Sequence, residues 1–76
     1  MNEGMLWLDL NPGLDLVKKV QRAIHYYQHK YGILPDLCLV HPSMLADVQP
    51  EQMPIAIRPY RFLAPGYLWI GLAEKS

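Results

Sequence analysis

One stretch decides more than any other what this chain can become: LVKKVQRAIHYYQHKYG, residues 16–32. At 100° per residue, Leu16, Val17, Val20, Ala23, Ile24, Tyr27 and Tyr31 fall within an arc of about 120°, and no charged residue intrudes on it. The spacing predicts a long amphipathic helix with one apolar stripe. Asn11 can cap its start, with Pro12 suited to the first helical position. Gly32 stands where a left-handed C-cap belongs, and Pro35 prevents the helix from resuming. A stripe of this kind has to be buried against something, and the rest of the chain supplies only short pieces.

Those pieces read as strands. MLWLDL (Met5 to Leu10) alternates Leu6, Leu8 and Leu10 against Met5, Trp7 and Asp9. DLCLV (Asp36 to Val40) is apolar enough to be covered on both faces. IAIRPY (Ile55 to Tyr60) puts Ile55 and Ile57 on one face, and Pro59 pushes it to a sheet edge or an early end. YLWIGL (Tyr67 to Leu72) alternates Tyr67, Trp69 and Gly71 against Leu68, Ile70 and Leu72. Between them, HPSMLADV predicts a short helical turn with Met44, Leu45 and Val48 facing in, and QPEQMP predicts a loop. Pro65-Gly66 fits the centre of a type II turn. The predicted order is β-α-β-short α-β-β. The expected fold is α+β: residues 1–76 as a single domain, with one long helix on a mixed sheet of three or four strands. The first two strands would form a right-handed βαβ unit if they are parallel neighbours, and the last two an antiparallel pair.

A helix on one sheet face leaves the other face bare. Here composition matters. At 76 residues a domain hides only about 60% of the surface its unfolded chain exposes, so its core needs help from a disulfide, a metal or a partner. A single cysteine excludes an internal disulfide and suits a reducing, cytoplasmic setting. Hydrophobic residues make up 51% and charged residues 18%, against roughly 25% charged in ordinary domains. The apolar surplus points to self-association, with Trp7, Tyr67 and Trp69 expected on the bare face of a homodimer. Net charge is zero, so no global field draws the chain to nucleic acid or anionic lipid. The segment MNEGMLWLDLNPG has no basic leader, and no apolar run approaches a membrane span.

Three chemistries deserve weighing. His25, His29, Cys38 and His41 have the look of metal ligands, since histidines at i and i+4 on a helix can clamp a metal. HYYQH, however, lacks the glutamate of H-E-x-x-H. The wheel also puts both histidines on the polar strip with Lys18 and Arg22. His29 and Lys30 are favoured in the last helical turn by the unpaired carbonyls there, and Cys38 reads as a buried apolar residue. No metal and no cofactor is expected.

Catalysis lacks a constellation. Ser43 follows His41 by two positions but sits where a serine satisfies backbone N–H groups at a helix start. There is no G-x-S-x-G turn, no Gly-rich phosphate loop and no paired carboxylate. The chain reads as a non-enzyme.

Binding is the remaining class. PYRF places Tyr60, Arg61 and Phe62 at a predicted hairpin tip, and these residue types are enriched at interfaces. The leading expectation is a protein-interaction or assembly module, homodimeric, with Trp7, Tyr60, Arg61, Phe62, Tyr67 and Trp69 as partner-binding residues. The second is a nucleic-acid-associated protein using the basic face of helix 14–31, with Lys18, Arg22 and Lys30 on phosphates and an exposed Tyr26 on a base. Most acidic residues lie elsewhere in the sequence, which lets a neutral chain present a basic face. A duller role for Tyr26 is to lie beneath the stems of Arg22 and Lys30, with some cation–π gain.

Overall fold

A computed structural model describes residues 4–73. Residues 1–3 and 74–76, which include Glu3, Glu74 and the start of the segment read as lacking a leader, lie outside the described residues. The helix α1 runs Leu16–Tyr31, and the strands are β1 (Gly4–Leu8), β2 (Leu37–Val40), β3 (Ala56–Pro59) and β4 (Tyr67–Gly71). This is the expected α+β architecture, one long helix on a four-stranded mixed sheet.

The helix starts later than Asn11 and Pro12 suggest. Asp15 is the N-cap, in extended conformation, and its carboxylate accepts from the Lys18 N–H at 3.0 Å. Asn11 instead closes a tight turn of its own, its Oδ1 accepting from Gly13 N–H at 2.9 Å. Both are residues whose side chains capture nearby backbone donors, and the one adjoining the apolar stripe takes the helix. The other end is as expected. Gly32 adopts φ 76°, and its N–H donates to the Gln28 carbonyl at 2.8 Å.

The strand order is β1-β4-β2-β3. β4 pairs antiparallel with both β1 and β2, and β3 pairs parallel with β2. So β1 and β2 are parallel but not neighbours, because the last strand inserts between them. Likewise β3 and β4 are not a hairpin, since β2 separates them. The reason lies in burial. β4 contributes Leu68 and Ile70, both fully buried, and the centre of the sheet is where such a strand hides most surface. β3 has one proline-terminated strand edge to offer and takes the rim. Pro65-Gly66 does form the expected turn: Tyr67 N–H donates to the Ala64 carbonyl at 3.2 Å and Gly66 has φ 97°. The 42–48 segment contains a 3-10 turn, Pro42–Leu45, and a second 3-10 turn, Pro50–Gln52, replaces the expected loop.

One sheet face carries the core. Val20, Ala23 and Tyr27 of α1 pack with Cys38, Val40, Leu68 and Ile70, all at most 1% exposed. Met44, Leu45 and Val48 close one side of it, half-buried, as the pattern predicts. Tyr31, expected in the core, is 46% exposed. It occupies the last helical turn, and its ring only leans on Tyr27, centroids 4.7 Å apart.

Candidate functional site

The two sheet faces are distinguished by strand parity. In the register Met5↔Ile70, Trp7↔Leu68 and Cys38↔Ile70, one set of side chains points under α1. The alternate set, Leu6↔Trp69↔Leu39, Leu8↔Tyr67 and Leu39↔Arg58, points away from it. On this second face Leu6 and Leu8 are 56% and 49% exposed, whereas Leu39 in the middle is 7% exposed. Among the described residues, Arg58 is the only charged strand residue of that face, at its β3 rim. Tyr67 and Trp69 therefore lie on the uncovered face as expected. Trp7 does not. It packs under the helix, half-buried against the core, and Leu6 and Leu8 take the exposed places of β1. Alternation told the two sets apart but not which of them the helix would choose.

Trp7 belongs to a different feature. Its indole meets the Tyr26 ring at 5.0 Å between centroids, inclined by 51°. Together they wall an open groove of about 700 Å³ between the β1 rim and one flank of α1. Lys18, Arg22, His25 and His29 also line it, each exposed. Helical spacing puts these four side chains on one strip, and no acidic residue among the described residues lines the groove. Three of the four residues expected for nucleic-acid contact, Lys18, Arg22 and Tyr26, meet here. Lys30 does not; its ammonium sits 5.4 Å from the Tyr31 ring centroid. The Tyr26 ring rests on Trp7, a contact absent from its expected role beneath Arg22 and Lys30. The place of Trp7 in the groove is not legible in the sequence, because a strand–helix contact leaves no local trace there.

The second basic-aromatic cluster stands apart. Tyr60 and Phe62 rings meet edge-on at 5.6 Å, and the Arg61 guanidinium lies 5.3 Å from the Phe62 centroid. Phe62 is 76% exposed. These residues follow β3 in the connection to β4, anchored where Tyr60 N–H donates to the Val40 carbonyl at 2.7 Å. With β1 and β3 at opposite edges of the sheet, the two basic clusters are not joined.

The ligand-like residues are scattered by the fold. His25 and His29 face the groove, Cys38 is fully buried beneath α1, and His41 caps the 3-10 turn. Among the described residues, no three His, Cys, Asp or Glu side chains lie close enough to hold a metal. Burial pushes the Cys38 thiol up to about 12, because a thiolate there would be desolvated. The His41–Ser43 pair also has a local job, with the roles reversed from expectation. His41 Nδ1 accepts from Ser43 N–H at 3.1 Å, so the ring is the cap, and Ser43 Oγ is 2.7 Å from the same nitrogen. Asp9, 8% exposed, accepts from Asn11 N–H at 3.0 Å through Oδ1 and closes the turn that leaves β1, while its Oδ2 has no partner among the described residues.

No described helix is long and apolar enough to cross a membrane. Compared with known protein families, curated proteins and solved structures, the chain matches none of them.

Proposed function

We propose that this chain is a non-catalytic interaction module of the cytoplasm that assembles as a homodimer through the sheet face opposite α1. The observation that carries the reading is the chemistry of that face. Leu6, Leu8, Tyr67 and Trp69 lie around the buried Leu39, and among the described residues the one strand charge is Arg58 at the rim. An apolar sheet surface is stabilised by a second one stacked about 10 Å away. The isologous partner with a self-complementary apolar patch is a second copy of the chain. Stacking two such faces gives a four-layer arrangement with a helix on each outside. Tyr60, Arg61 and Phe62, beside the β3 rim, have the composition of an interface periphery. The free buried thiol of Cys38 accords with a reducing compartment.

Sedimentation equilibrium at tens of micromolar tests this. The expected result is a dimer for the wild type and a monomer for Leu6→Glu with Trp69→Glu, with far-UV circular dichroism preserved. A clean wild-type monomer at that concentration would overturn the reading.

A further inference from the structure

We propose that the groove between α1 and β1 is a binding site for a small planar aromatic anion, of the size and character of a nucleoside monophosphate. The groove's volume of about 700 Å³ lies inside the ~300–1,000 Å³ range of small-molecule sites. Its wall is aromatic: the Trp7 and Tyr26 rings, 5.0 Å apart and inclined at 51°, offer two surfaces on which a flat ring can stack. Its rim is lined by basic residues. Lys18 and Arg22 stand one helical turn apart, His25 and His29 another, and among the described residues no carboxylate lines the groove beside them. None of these four side chains has a hydrogen bond or ion pair among the described residues. A strip of basic side chains beside a stacking surface is complementary to a ligand that carries both a ring and a negative charge.

Trp7 adds a donor. Its Nε1 is buried and has no partner among the described residues, whereas a buried indole N–H usually finds one. A polymeric ligand fits less well. Strand-binding proteins need a basic track that follows the backbone. Here Arg58 and Arg61 belong to the β3 side of the sheet, separated from the groove by the width of the sheet.

The chain has two tryptophans, so Trp69→Phe, altered on the opposite face, leaves Trp7 as the sole indole reporter. We expect saturable quenching of Trp7 fluorescence by adenosine monophosphate or by 2-naphthoate, matched by calorimetry on the wild type. Neutral adenosine and inorganic phosphate should each bind at least tenfold more weakly, because each offers only half of the complementarity. Lys18→Glu with Arg22→Glu should weaken the anion by at least tenfold, and Arg61→Glu should leave it unchanged. No saturable binding of either anion at millimolar concentration overturns the proposal. So does equal affinity for adenosine, indifference to the Lys18/Arg22 change, or tight binding of an eight-nucleotide oligodeoxyadenylate without binding of the monophosphate.

Discussion

The Trp69 indole lies directly over Gly4, so that a Cβ added at Gly4 would overlap the six-membered ring of the indole. Gly4 and Trp69 are diagonal neighbours on adjacent antiparallel strands, Trp69 standing opposite Leu6. An aromatic ring laid across a glycine of the edge strand covers backbone that would otherwise be bare. Gly4→Ala should therefore destabilise the fold by about 1–3 kcal/mol, the range for overpacking. In a double-mutant cycle with Trp69→Leu most of that loss should vanish, since the clash needs both partners. Urea unfolding of the four proteins measures the coupling.

Asp15 and Asn11 make a second comparison. Asp15→Ala removes the bond to Lys18 N–H and should cost about 1 kcal/mol of stability. Asn11→Ala should leave helix content untouched, because Asn11 serves only the preceding turn. Thermal unfolding followed by circular dichroism at 222 nm separates the two.

These residues also mark how far the sequence could be read. The apolar stripe of α1, the Gly32 cap and the Pro65-Gly66 turn are local features, and local features leave local patterns. The start of α1 is misread at Asn11 and Pro12 because that pair has the pattern of a cap and first helical residue, whereas Asp15, adjoining the apolar stripe, takes the cap. Strand order was not legible, since the placement of Leu68 and Ile70 between β1 and β2 is settled by packing between residues distant in the chain. The same holds for Trp7. Its parity with Met5 is visible in the sequence, but its position under the helix and against Tyr26 is a tertiary fact, and the groove depends on that fact.

Cys38 should be chemically quiet in the native state. It is fully buried, and its thiol is held at about 12 instead of 9.0. At pH 8 a thiol reagent should label the folded protein at least tenfold more slowly than the urea-unfolded chain. The linkage has a definite sign. Between the unfolded and native values the unfolded state binds fewer protons, so stability is intact below pH 9 and falls as pH rises towards 12. The loss attributable to this group is on the order of 4 kcal/mol. It should be absent from the alkaline limb of the Cys38→Ala variant, whose stability is offset by a roughly constant cavity penalty. Denaturant titrations of both proteins across this pH range give the difference in slope.

Ile70 and Leu6 sit on opposite faces of the paired strands β4 and β1, and their truncation should separate core packing from assembly. Ile70 is shielded from solvent within one chain: it is 0% accessible and packs against Ala23 and Tyr27. Ile70→Ala should cost about 2–5 kcal/mol at any protein concentration, because it empties a site inside one chain. Leu6, 56% exposed in the isolated chain, has little burial to lose there, and Leu6→Ala in a monomer should change stability by less than about 0.5 kcal/mol. If the face that holds Leu6 is covered by a second copy, mass action links folding to association. The wild-type melting temperature then rises with protein concentration. Leu6→Ala should flatten that rise while Ile70→Ala shifts the whole curve downward. Melting curves over a hundredfold range of concentration distinguish the two, and a wild-type curve independent of concentration would place Leu6 at a free surface.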